Sequence, residues 1–106
     1  MRAACVLTIA CLAHACATTR AAAPIVTPEL VASARVQGFD EFGIARGREL
    51  YVAQCARCHA SPRVSEFTRS GWEELLPRMS RRSGFDDAEA ADVRSFVLAA
   101  LGAGAD

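Results

Sequence analysis

Ala45-Arg46-Gly47-Arg48-Glu49-Leu50-Tyr51-Val52-Ala53-Gln54-Cys55-Ala56-Arg57-Cys58-His59 is the stretch on which the reading of this chain turns. With Ile44 just upstream, the apolar positions Ile44, Leu50, Tyr51 and Cys55 recur at helical spacings and predict a helix over about Phe42 to Cys58. Gly43 and Gly47 lower its intrinsic propensity. Residues three and four apart share a face of a helical turn, so Cys55, Cys58 and His59 converge on one side of it.

Two further helices follow downstream. Ser70-Gly71-Trp72-Glu73 has the form of a capping box, and Trp72, Leu75, Leu76 and Met79 make an i, i+3, i+4, i+7 stripe behind it. Pro77 interrupts that stripe and predicts a kink or an early end. Asp86-Asp87-Ala88-Glu89 opens the next helix with acidic residues at its N-terminus. Val93, Phe96, Val97, Ala100 and Leu101 form its apolar face, and Gly102 is the expected stop. No segment has the pattern of a strand, so the fold class is all-α, about three helices.

Upstream, Arg2 and the apolar run Ala3–Ala13 have the form of an export signal, too short for a membrane span of roughly 20 residues. Two processing routes compete. Ala13-His14-Ala15 and Ala21-Ala22-Ala23 fit ordinary cleavage, whereas Leu-x-x-Ala-Cys resembles a bacterial lipoprotein lipobox with Cys16 acylated. Leu12 sits one place early for that motif, and His14 is unusual in it. Acylation would account for Cys16, otherwise an odd thiol in an oxidising compartment. The expected organisation is a signal over 1–15, a tether over 16–38 with room for one short helix after Pro28, and a folded domain over 39–106.

The chain carries 12 acidic and 12 basic residues, every basic one an arginine. This balance suggests neither nucleic acid nor strong electrostatic steering toward a partner. A domain this small buries little core and calls for a staple such as a metal, a disulfide or a cofactor. Phe42, Tyr51, Phe67, Trp72 and Phe96 are the aromatic residues available to pack around one.

Cys55-Ala56-Arg57-Cys58-His59 is C-x-x-C-H, the attachment motif of haem c. The two thiols add to the porphyrin vinyl groups and the imidazole ligates the iron. Its rivals are weaker. A thioredoxin-like C-x-x-C needs a βαβ context, a structural zinc site needs about four ligands, and a plain disulfide leaves His59 unexplained.

The surrounding residues resemble the N-terminal helix of class I cytochromes c, over about residues 42–101. That family has a Gly and an aromatic eight and four residues before the first haem Cys, the places of Gly47 and Tyr51 here. The resemblance implies close crossing of a C-terminal helix at Gly47, with Val93 and Phe96 as partners. Trp72 followed by Arg78-Met79 also resembles a pattern in minimal c-type haem domains, which implies Met79 as the second iron ligand.

Ligand counting agrees. With His14 and Met1 in the signal, one His, one Met and no Lys remain. Met79 is then the candidate for the sixth position; the alternative is that it fills the core beside Trp72 and the iron stays five-coordinate. Tyr51 and Trp72 are candidates for haem packing. Arg63, with Arg69, Arg81 and Arg82 nearby, is a candidate for the propionates. The neighbourhood of Pro62 is expected to offer a carbonyl to His59 Nδ1–H.

The expectation is a one-electron carrier rather than an enzyme, exported to the bacterial periplasm, lipid-anchored at the outer membrane or soluble, with redox proteins as partners. An open-iron sensor or weakly peroxidatic haem protein, and a small haem subunit of a larger redox complex, are the alternatives.

Overall fold

In the computed structural model the described residues are 23–57 and 59–105. They form four α-helices joined by short loops, with no strand among them. We label these α1 (Pro28–Val36), α2 (Glu41–Gln54), α3 (Arg69–Ser83) and α4 (Asp87–Gly102). Short 3-10 turns occupy Cys55–Arg57 and Val64–Glu66.

Gly47 explains how α2 meets α4. A β-carbon there would overlap the Asp92 carbonyl oxygen and lie 2.9 Å from Phe96 Cβ, so only glycine allows this crossing. Ile44, Gly47 and Tyr51 form the buried stripe of α2, and Val93 and Phe96 answer from α4. Arg46 clasps Asp92 at 2.8 Å beside the crossing. The helix expected to reach Cys58 ends as an α-helix at Gln54 and tightens into the 3-10 turn. Cys58 itself lies outside the described residues.

The fourth helix is α1, within the stretch expected to be a tether. Thr27 caps it by accepting from Leu30 N–H, and Pro28 stands in the first turn, where a missing N–H costs nothing. Leu30 and Ala34 are fully buried. Ser33 Oγ donates to the Ala99 carbonyl at 2.8 Å and Gln37 Nε2 to that of Leu98 at 3.0 Å, which locks α1 to α4. Further upstream, Arg48 donates to the carbonyls of Pro24 (2.8 Å) and Ala23 (3.3 Å). Covered on several sides, α4 buries five consecutive residues, Phe96 to Ala100, the pattern of a helix surrounded by its neighbours.

Three boundary expectations change. The cap of α3 is Thr68, accepting from Gly71 N–H at 3.2 Å, and Ser70 lies inside the helix. Glu73 accepts instead from Arg94. Pro77 neither ends nor interrupts α3. Both Pro77 and Glu73 are exposed, so the Glu73 carbonyl that proline leaves without a donor can be met by water. α4 ends at Gly102 as expected, but Gly102 is its last helical residue and not a left-handed cap: a β-carbon there would lie 2.6 Å from Ser33 Oγ, and the left-handed residue is Gly104. The Asp86 box stands as expected, with Asp86 and Glu89 exchanging backbone-to-carboxylate bonds of 2.8 and 3.0 Å.

Candidate functional site

Between the C-terminal end of α2, the loop that follows it and the inner face of α3 lies a cavity of about 510 Å³. That is within the usual range for a small-molecule or cofactor site. α3 supplies one wall: Trp72, Leu75, Leu76 and Met79, the whole of the predicted stripe, line it. Tyr51 and Cys55 enter from α2 and the 3-10 turn, and His59 through Pro62 from the loop.

The aromatic residues brace this space. Trp72 is buried and donates its indole N–H to the Val64 carbonyl at 2.8 Å. Its ring meets Phe67 edge-on at 5.1 Å and Tyr51 at 6.4 Å between centroids. Tyr51 also packs on Phe96 at 5.8 Å, and its hydroxyl donates to the Pro62 carbonyl. Burial pushes the Tyr51 hydroxyl well above its ordinary pKa, so it remains a donor throughout the physiological range.

His59 is exposed, with Nδ1 2.9 Å from the Ala60 carbonyl oxygen. A carbonyl only accepts, so in this contact Nδ1 carries the proton; in the neutral ring that leaves the lone pair on Nε2. Cys55 is half-buried, and desolvation pushes its thiol up to about 11. Met79 is half-buried on the α3 wall.

Several expected roles are redistributed. The carbonyl facing His59 Nδ1 is that of Ala60, two residues before Pro62, whose own carbonyl accepts from Tyr51. Arg63 does not line the cavity; its side chain is exposed, and its backbone N–H donates to Glu66. Arg82 is the arginine in the lining. Trp72 has its N–H committed to the Val64 carbonyl, which leaves its ring for packing. Phe42 is 75% exposed, and Phe96 belongs to the α2–α4 crossing. Cys16 and the signal lie outside the described residues.

The cavity also contains Gln54, Ser61 and Glu66, none of which motif or periodicity singled out. Ser61 Oγ is buried and has no hydrogen-bond partner among the described residues. A buried hydroxyl without a partner costs about 1–3 kcal/mol, so this donor suits a polar occupant. A sulfur, an imidazole and a thioether on largely apolar walls, with one arginine, match the chemistry that a haem with its carboxylates requires. If the occupant satisfies Ser61, Ser61→Ala will cost the cofactor-loaded protein about 1 kcal/mol and stabilise the cofactor-free chain. Denaturant melts of both forms check this, and a change of the same sign in both would count against the match.

No family model matches the chain, and neither a curated protein nor a solved structure matches it. Among the described residues no helix is long and apolar enough to cross a membrane.

Proposed function

We propose that this chain is a monohaem c-type electron carrier. One observation carries the reading: Cys55, His59 and Met79, singled out from two separate stretches of sequence, line one cavity. Cys55 and Cys58 would hold the haem through thioethers, His59 Nε2 and the Met79 thioether would ligate its iron, and Arg82 would meet a carboxylate. When bound, the haem supplies a one-electron couple between ferric and ferrous iron.

The residues of the chain do the rest. The Ala60 carbonyl, accepting from Nδ1–H, orients the His59 ring and fixes the tautomer that presents Nε2 as the ligand atom. Tyr51, by holding Pro62, fixes the loop that carries His59. Trp72, Leu75 and Leu76 exclude water from the α3 wall, and a drier site disfavours the more highly charged state of a redox centre. A thioether ligand favours the ferrous form and raises the potential. Phe67, 39% exposed at the cavity, leaves its edge partly open to a partner. Export by the N-terminal segment, with acylation at Cys16, would put the carrier in the bacterial periplasm at a membrane surface.

The test is the second ligand. The oxidised holoprotein is expected to show the near-infrared charge-transfer band of iron–methionine ligation, and Met79→Ala to abolish it. Fast binding of carbon monoxide to the unaltered reduced protein, with no such band, would replace the carrier with an open-iron sensor.

A further inference from the structure

Three helices meet at one side-chain amide. Gln37 follows the last residue of α1 as its C-cap. Its Nε2 donates to the Leu98 carbonyl of α4 at 3.0 Å and to Ser33 Oγ at 3.1 Å. Its Oε1 accepts from Arg69 Nη1, in the first turn of α3, at 2.7 Å. A primary amide has one acceptor oxygen and two N–H donors, and here both ends are engaged.

The seat of this amide is shaped for it. A β-carbon at Gly102 would lie 2.7 Å from Gln37 Nε2 and 2.6 Å from Ser33 Oγ, so α4 carries a notch where the two polar tips enter. Leu98 is fully buried, and its carbonyl keeps a second lone pair beyond the helix bond. Burial of Leu30 and Ala34 accounts for the docking of α1. It does not account for the further link from Gln37 to α3.

α3 is where such a link has an effect. Its apolar stripe, Trp72, Leu75, Leu76 and Met79, lines the cavity, so part of that stripe has the cavity, not a neighbouring helix, to pack against. Its polar ties to the rest of the fold cluster near its start: Trp72 N–H to Val64 at 2.8 Å, Glu73 with Arg94 at 3.0 Å, and Arg69 with Gln37. The Glu73–Arg94 pair is exposed at both ends, a kind of contact that contributes little and is screened by salt. Arg69 also approaches Glu73 at 3.7 Å, but that pair lies within α3 and cannot place the helix against its neighbours. Among the described residues Gln37 is the only acceptor outside α3 that Arg69 reaches.

Met79 stands ten residues beyond Arg69 on the same helix, roughly 15 Å along its axis, and Pro77 does not break the helix between them. A tilt of about 5° about Trp72 would carry Met79 by roughly 1 Å. We propose that Gln37 is a positioning residue for the second iron ligand: it holds the first turn of α3 through Arg69 and thereby sets where Met79 stands in the cavity wall. The proposal rests on the reading of the cavity as a haem site with Met79 as ligand. It gives the end of α1, within the stretch expected to be a tether, a part in the redox centre.

The experiment separates the link to α3 from the docking of α1. Arg69→Ala removes the link and leaves the bonds of Gln37 and Ser33 to α4 in place. Imidazole is the probe, because it competes with a methionine sulfur for ferric iron. The ferric Arg69→Ala holoprotein is expected to bind imidazole about tenfold more tightly, the lower end of what one hydrogen bond to a charged group supplies. Its near-infrared iron–methionine band should weaken. Its melting temperature should move by no more than about 4 °C, as for an exposed substitution. Gln37→Ala should loosen the ligand at least as much, and Arg69→Lys, which keeps a donor, should retain most of the band. Arg35→Ala, which removes the exposed pair with Glu41, should leave imidazole affinity unchanged.

An unchanged imidazole affinity in Arg69→Ala overturns the proposal and leaves Gln37 as a tie between α1 and α4 alone. So does an equal gain in Arg35→Ala, which would report general loosening. An unaltered holoprotein without the near-infrared band overturns ligation by Met79, and the positioning role falls with it. A band that is present and does not respond to Arg69→Ala overturns the positioning role alone.

Discussion

Alanine at Gly47 is expected to destabilise the protein by about 3 kcal/mol, the upper part of the usual range for overpacking. By helix propensity alone the same change would stabilise α2 by about 1 kcal/mol, so the sign of the effect reports the crossing. The obstacle is backbone, the Asp92 carbonyl, with Phe96 Cβ behind it. Neither can rotate out of the way. α2 would have to lift from α4, uncovering Val93 and Phe96 and loosening Tyr51, which packs on Phe96. In a domain of this size the melting temperature should drop by on the order of 15 °C. Gly43→Ala is the control, because the tightest contact of its β-carbon would be the Asp92 carboxylate at 3.0 Å, the end of a side chain that can give by a few tenths of an ångström where backbone cannot. Equal losses from the two variants would show that the crossing is not what Gly47 provides.

Replacing both Cys55 and Cys58 by serine is expected to abolish covalent colour, and Cys55→Ser alone to leave a single thioether. The readout is acid–acetone extraction, in which a covalently held haem stays with the protein. A serine hydroxyl forms no thioether, so under the proposed function the double variant would hold haem only through His59 and Met79. The half-buried Cys55 thiol, pushed up to about 11 by desolvation, is protonated at neutral pH and a poor spontaneous nucleophile. Its capture by a vinyl group therefore depends on the haem being held beside it. Extraction of all colour from the unaltered protein would remove the attachment claim, and a disulfide between the two cysteines would become the better account of the motif.

Local signals served well where the chemistry itself is local. The reciprocal bonds of Asp86 and Glu89 are readable from spacing, as is the stripe from Trp72 to Met79. Misreadings arose where a local pattern had a competitor. Thr68 takes the N-cap although Ser70 and Glu73 spell a capping box; Ser70 Oγ bonds to Thr68 Oγ, and Glu73 turns to Arg94, distant in sequence. The α1 segment has its own signals in Thr27, Pro28 and Glu29. Its alanine-rich buried side nevertheless looks like linker until α4 is there to receive Leu30 and Ala34.

Tertiary roles were the least visible. Gly102 resembles a helix terminator, and only the approach of Ser33 gives its reason. Arg63 and Arg82 are equivalent in composition, and the turn of α3 decides which of them reaches the cavity. Ser61 belongs to no motif at all; it is found only by asking which buried hydroxyl lacks a partner.

The clasp of Arg48 on the carbonyls of Ala23 and Pro24 has a consequence for how this chain can vary. A carbonyl is present at every position whatever the side chain, so this clasp asks little of residues 23 and 24. Nearly all of its sequence information resides in the guanidinium. For the clasp, drift at 23 and 24 is neutral, and only the burial of Ala23 restricts its side chain, whereas one change at position 48 would release the whole leading segment from α2.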